Sequence, residues 1–180
     1  MNVLTSQNER CQSARLKLIS MNEPLTIGPS DGRETIAQAT GLFSYIDSNF
    51  RHWGCDAPGQ PTNQTQTFVY EMEQDGTFTE MFGDLRKDAD SLALTQSQIV
   101  YFVRRYPHWL KPGGNGTFFL FSVARDFFIA AVYLFSDGRM GVRVRRFSLE
   151  RIFRAGKHHR LVVPQLASVP CFSAQTLFAA

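Results

Sequence analysis

The chain has 180 residues, which suits one domain better than two, because single hydrophobic cores stop growing only beyond about 250 residues. Hydrophobic residues make up 43% of it and sixteen residues are Phe, a content that excludes an intrinsically disordered chain. The net charge of +3 hides an asymmetry: residues 1–90 carry seven Lys and Arg against thirteen Asp and Glu, whereas residues 91–180 carry twelve against three.

The N-terminal third predicts an extension followed by a short strand and a helix. Residues 1–22 are polar and weakly periodic, so we expect a flexible N-terminal extension, followed by a single α+β domain over residues 23–180. Leu25–Ile27 is a short β-prone run. In residues 34–53 large apolar side chains recur at steps of three and four, which predicts a helix with one buried face. These side chains are Phe43, Ile46, Phe50 and Trp53.

A strand and a helix are expected next. Thr67–Met72 is β-prone and alternates in polarity. Thr77 and Glu80 form a capping box, in which hydroxyl and carboxylate satisfy free backbone N–H groups at the start of a helix. The helix would continue through Leu85, although a hairpin return over residues 77–82 is the alternative.

A second capping box, Thr95 with Gln98, opens the helix with the clearest pattern. Ile99, Phe102 and Val103 follow at helical spacing, and Pro107 is expected to end or kink the helix. The Gly-rich run over residues 113–116 precedes a strand, so it predicts a turn and not a phosphate-binding loop.

Three apolar β-rich runs follow, Thr117–Ala124, Phe127–Phe135 and Gly141–Phe147. The turns between them are short enough only for antiparallel neighbours, and the middle run is apolar on both faces. A further strand is expected near Leu161–Val163. The fold class predicted is therefore α+β, with an antiparallel β-meander sheet packed against two or three helices.

Cysteine use and the termini predict a cytoplasmic protein. The three cysteines are far apart and form no Cys-x-x-Cys pair, which argues against a disulfide framework or a zinc site. The N-terminus lacks the pattern of a secretory signal, and no apolar run reaches the roughly 18 residues of a membrane helix. We expect no metal, no cofactor and no membrane partner.

Five short motifs stand out between residues 24 and 165. They are Ile46-Asp47-x-x-Phe50-x-x-Trp53-Gly54, Leu94-Thr95-Gln96-Ser97-Gln98-Ile99, Trp109-Leu110, Gly116-Thr117-Phe118-Phe119-Leu120-Phe121 and His159-Arg160-Leu161-Val162-Val163-Pro164-Gln165. Together they resemble a group of small uncharacterised bacterial proteins. The resemblance implies one self-contained bacterial unit, and it transfers no catalytic or binding residue.

The sharpest functional feature is a basic segment near the C-terminus. Its candidate binding residues are Arg143, Arg145, Arg146, Arg151, Arg154, Lys157, His158 and Arg160. Arginine predominates, and its planar fork suits phosphate and carboxylate groups. On the strand, alternation places Arg143 and Arg145 on one face, whereas Arg146 suggests a bulge. His158 and His159 would add charge below neutral pH.

This segment predicts a non-enzymatic binding module with an arginine-rich face for nucleic acid or an acidic protein partner. Three alternatives remain open. The cations could simply neutralise the acidic first half of the chain. The protein could be a small hydrolase or transferase that uses Cys55 with His52, since a thiol next to a base can become a nucleophile. It could also be a structural subunit of a larger assembly.

Overall fold

The fold is a mixed β-sheet with short helices on both faces. A computed structural model describes residues 15–23 and 25–165. Within these residues the strands are β1 Leu16–Leu18, β2 Leu25–Ile27, β3 Tyr45–Ile46, β4 Thr65–Met72, β5 Gly116–Val123, β6 Asp126–Leu134, β7 Met140–Arg146 and β8 Arg160–Pro164. The α-helices are α1 Asn49–His52, α2 Phe78–Leu85 and α3 Gln96–Arg105.

The α+β class and the meander are confirmed, but the purely antiparallel sheet was wrong. The strand order is β1-β4-β8-β5-β6-β7-β3, and β2 also pairs with β4. The meander is β5-β6-β7, whereas β8 is parallel to β5 and β3 is parallel to β7. A parallel pair needs a long connection, and β5 is joined to β8 by residues 124–159, which include β6 and β7.

The sheet buries both faces, each against a different set of helices. We call the side covered by α1 and α3 the α3 face, and the side covered by α2 the α2 face. The α3 face contributes buried Val69, Phe119, Phe121, Ala130, Val132, Val142, Val144 and Val162. The α2 face contributes buried Met72, Phe118, Leu120, Ile129, Ala131, Leu161 and Val163. Alternate residues of each strand serve the two faces, as the pleat requires.

The helix predicted over residues 34–53 was wrong for most of its length. Ile36–Gln38 forms a 3-10 turn, and only Asn49–His52 is α-helical. Between them the chain adds β3 to the edge of β7, where the N–H groups of Ser44 and Asp47 donate to carbonyls of β7 at 2.8 and 3.0 Å. Long-range pairing therefore overrides the helical spacing of the apolar residues.

Part of the predicted N-terminal extension belongs to the sheet. Leu16–Leu18 forms β1 and pairs with Tyr70–Met72 of β4. Residues 1–14 of that extension, and residues 24 and 166–180 of the predicted domain, lie outside the described residues. In the described part of the chain, no helix is long and apolar enough to cross a bilayer.

Both capping boxes are confirmed. The hydroxyl of Thr95 accepts from the N–H of Gln98 at 3.3 Å, and the amide oxygen of Gln98 accepts from the N–H of Thr95 at 2.9 Å. Thr77 and Glu80 make the same reciprocal pair at the start of α2. The Thr77 box therefore opens a helix, and the hairpin alternative is wrong.

Thr95→Ala removes one half of the α3 capping box, so we expect it to lower the free energy of unfolding by about 1 kcal/mol, within the usual range of roughly 0.5–2 kcal/mol. Urea denaturation measures the change. Thr40→Ala is the control, because Thr40 is exposed and surface changes of this kind stay within about 0.5 kcal/mol. Equal stabilities of the two variants would contradict the expectation.

Candidate anion-binding site

A cavity of about 470 Å³ opens on the α2 face of the sheet, at the end of β6. Its floor is a row of paired residues in which Tyr133 lies between Gly116 and Gly141, and Tyr45 lies beyond Gly141. The two glycines let aromatic rings approach the backbone on each side of Tyr133, Phe118 at Gly116 and Phe135 at Gly141. Gly116 is also required sterically, since a Cβ there would overlap the ring of Phe118.

Aromatic side chains form both the inner wall and the rim. Phe78, Phe118 and Phe153 contact one another with ring centroids 4.5–5.0 Å apart, and this wall closes the inner end. Tyr45 and Phe135 at the rim are 51% and 42% exposed. The cavity therefore has a buried apolar end and a mouth with accessible rings.

Four cationic side chains line this cavity, and no carboxylate of the described residues does. Arg143 and Arg145 project from β7, and Arg151 and Lys157 come from the connection to β8. The Arg145 guanidinium lies 3.4 Å from the carboxylate of Asp47. For the other three, no carboxylate among the described residues lies within 4.0 Å.

Arg143 is held by aromatic rings. Its guanidinium lies 5.8 Å from the ring centroid of Tyr45 and 5.9 Å from that of Tyr133. Such cation–π contacts contribute about 0.5–1 kcal/mol at exposed sites. They orient the fork and leave its N–H groups without a carboxylate partner. The predicted arginine pair of β7 is thus brought together with Arg151 and Lys157.

The other predicted binding residues do not join the cavity. The guanidinium of Arg154 lies 2.7 Å from the carboxylate of Asp75. The carboxylate of Glu71 lies 3.4 Å from the guanidinium of Arg160 and 3.5 Å from the ring of His158. These pairs link the basic segment to the acidic first half of the chain. Charge compensation therefore accounts for this part of the segment.

Arg146 points to the opposite face of the sheet. Its guanidinium lies 5.2 Å from the ring centroid of Trp53 and 5.9 Å from that of Phe128. Each residue of β7 has one partner on β6 throughout, so the bulge predicted at Arg146 was wrong. Alternation alone places Arg146 on the side of Val142 and Val144, away from Arg143.

His159 lines the cavity as a neutral ring. Its Nδ1 accepts from the N–H of Gly116 at 2.9 Å, and the ring stacks on Phe118 with centroids 5.0 Å apart. Burial lowers the pKa of His159 below its ordinary value, and the nearby Arg151 and Lys157 lower it further. His159 therefore does not add positive charge near neutral pH.

This lowered pKa predicts a pH-dependent stability. Unfolding restores the ordinary pKa of His159, so the unfolded chain binds more protons and the free energy of unfolding falls as pH drops below about 6.5. We expect His159→Asn to reduce this fall, because asparagine can accept from Gly116 and does not titrate. Urea denaturation at about pH 7.5 and about pH 5.5 measures the fall in the free energy of unfolding for the wild-type protein and for His159→Asn. An equal fall in the two proteins would contradict the expectation.

The predicted pair of Cys55 and His52 is not arranged as a nucleophile and base. Cys55 is fully buried, and its Sγ lies 3.8 Å from the carbonyl oxygen of Trp53. Burial raises the pKa of the Cys55 thiol to about 11. His52 is exposed at the end of α1. A protonated, inaccessible thiol is a poor nucleophile.

We therefore expect Cys55 to resist iodoacetamide in the native protein near neutral pH and to react fully in urea, since alkylation requires an accessible thiolate. Mass spectrometry of the peptide that contains Cys55 gives both extents of reaction. Selective labelling of Cys55 under native conditions would revive the enzyme alternative.

The acidic residues of β4 are occupied by cations. Glu71 lies 3.2 Å from Lys111 in addition to its contacts with His158 and Arg160, and Glu73 lies 3.9 Å from Lys17. Among residues 15–23 and 25–165, no cluster of three or more His, Cys, Asp or Glu side chains is placed to hold a metal ion.

A second cavity of about 490 Å³ has no Lys, Arg or His in its lining within the described chain.

Sequence reasoning missed the aromatic part of the site and Asn115, which also lines the cavity. Tyr133 could have been found, because it shares the alternation of the meander with Arg143. Tyr45 could not have been found, because the pairing of β3 with β7 has no local signal in the sequence.

Comparison with protein-family models, curated proteins and solved structures finds no match to this chain. The bacterial resemblance therefore stays a prediction.

Proposed function

We propose that the protein is a non-enzymatic binding module that holds single-stranded nucleic acid at the cationic cavity. The observation that supports it most is the guanidinium of Arg143, which is oriented by two tyrosine rings and has no carboxylate within 4.0 Å among the described residues. Arg151 and Lys157 lie in the same lining without carboxylate partners there. All three side chains are exposed to solvent, and cations without carboxylate partners that line one cavity favour an anionic ligand.

The exposed rings at the rim favour nucleic acid over an acidic protein. Tyr45 and Phe135 both lie against Gly141, and both side chains are exposed to solvent. Stacking of a base on an aromatic ring contributes about 1–3 kcal/mol. Carboxylates of an acidic protein would use the cations but not these rings, so the second candidate partner leaves part of the site unused.

The arrangement of the cations favours a single strand over a duplex. A duplex presents a long row of phosphates and needs cations spread along a surface. In this protein Arg154 and Arg160 are paired with carboxylates and Arg146 lies on the other face of the sheet. The unpaired cations converge on one concave site, and a volume of about 470 Å³ is in the range of ligand pockets.

Arg143→Met should weaken binding of a short oligothymidylate about tenfold or more, because a hydrogen bond to a charged group contributes about 1.5–3 kcal/mol. The matched control is Arg139→Met, which removes the same charge from an exposed residue that lies 2.7 Å from Asp137. Isothermal titration calorimetry gives both affinities, and wild-type binding should weaken between about 50 and about 200 mM salt. Thermal melting checks that both variants fold.

Equal losses in the two variants would show that only total charge matters and would overturn the cavity as the site. Polyglutamate is the probe for the alternative partner. Tighter binding of polyglutamate than of oligothymidylate, with the same dependence on Arg143, would favour an acidic protein. Binding of neither would overturn the proposal and leave the structural subunit and the Cys55 and His52 enzyme as the remaining candidates.

A further inference from the structure

The cavity offers donors from two opposite sides. Arg143 and Arg145 project from the sheet, and Arg151 and Lys157 come from the connection that passes over it. The connection is itself pinned, because Phe153 and Gly76 exchange two backbone hydrogen bonds of 2.8 and 3.1 Å. A ligand placed between the two sides would receive charged N–H donors from both.

His159 adds a neutral donor at the buried end. The N–H of Gly116 lies 2.9 Å from Nδ1 and its carbonyl oxygen 3.3 Å from the same nitrogen, and the shorter contact is satisfied by the neutral tautomer that carries its proton on Nε2. Both hydrogen-bond contacts of the His159 ring with the described residues use Nδ1 and leave Nε2 without a partner among them. The amide of Asn115 lies in the same lining. The charged and neutral donors thus line the same cavity of about 470 Å³.

The number of donors and charges distinguishes two kinds of phosphate. An internal phosphodiester has one negative charge and two free oxygens, whereas a phosphomonoester carries about −1.5 to −2 at pH 7 and three acceptor oxygens. Four cations line the cavity and one of them, Arg145, is partly offset by Asp47. The remaining charge suits a dianion better than a monoanion.

The closed inner end of the cavity also favours a terminal phosphate over an internal phosphodiester. A strand that continues on both sides of its phosphate needs two exits, but Phe78, Phe118 and Phe153 close the inner end by mutual contact. The accessible rings lie at the mouth. A terminal phosphate can reach the cations while the attached nucleoside stays against Tyr45 and Phe135.

We propose that the cavity recognises a terminal phosphomonoester of a nucleotide, carried either by the end of a single strand or by a mononucleotide. The phosphate lies between Arg143, Arg151 and Lys157, and the base stacks at the rim. This inference rests on the proposed function and narrows it, because it assigns the site to chain ends or single nucleotides and not to internal phosphodiesters.

The test uses unlabelled ligands of one sequence in isothermal titration calorimetry. They are oligothymidylates with a 5′-phosphate, with a 3′-phosphate and with hydroxyl ends, together with thymidine 5′-monophosphate and inorganic phosphate. We expect one phosphorylated strand to bind at least about tenfold tighter than the hydroxyl strand, as one added charge-assisted contact predicts. Arg143→Met should abolish this preference, Arg143→Lys should keep part of it, and Arg139→Met should leave it unchanged.

The outcomes separate this inference from the proposed function. Equal binding of all three strands, with a loss in Arg143→Met, would overturn the terminal phosphate and leave nucleic-acid binding standing. Binding of thymidine 5′-monophosphate but of no strand would support the phosphomonoester and overturn the strand as ligand. Inorganic phosphate as tight as the nucleotide would overturn the stacking of the base. No binding of any of these ligands would overturn both proposals.

Discussion

The two-sided burial of β5 and β6 is the constraint on which the rest of the structure depends. Gly116–Phe121 and Phe128–Val132 are buried continuously, so neither face of the central sheet can be left in water. Helices α1 and α3 cover one face, and α2 with the following connections covers the other. Helix α2 has only eight residues and begins at Phe78, so it does not cover the end of β6. The cavity lies beside Phe78, at this uncovered end of the strand.

The connection from β7 to β8 both completes the core and carries half of the site. Phe153 packs on Phe78 and bridges to Gly76, while the carboxylate of Asp75 accepts from the N–H of Ala155 at 2.7 Å. These contacts hold the backbone between Arg151 and Lys157. Side chains on a segment fixed in this way keep their positions better than those on a free loop, which favours a preformed site.

Local patterns predicted what depends on neighbours in the chain. The capping box at Thr95, the meander and the shared face of Arg143 and Arg145 each follow from residues a few positions apart. What the patterns missed depends on contacts between distant residues. The ion pair of Arg154 with Asp75 joins residues about 80 positions apart, and the strand pairing of Tyr45 with Gly141 joins residues about 100 positions apart. Hydrophobic periodicity along the sequence cannot predict contacts between residues so far apart. The cavity was unpredictable for the same reason.

The distribution of ion pairs also separates structural cations from those available for function. Where the fold needs the basic segment close to β4, Glu71 and Asp75 neutralise it. At the cavity, Arg143, Arg151 and Lys157 instead gather without a carboxylate partner among the described residues, and their mutual repulsion, which solvent screens in part, opposes folding. An anion bound to the folded state would remove that repulsion and stabilise the fold by mass action. The ion pairs of the fold thus account for Arg154 and Arg160, and the proposed anion binding would account for the cluster at the cavity.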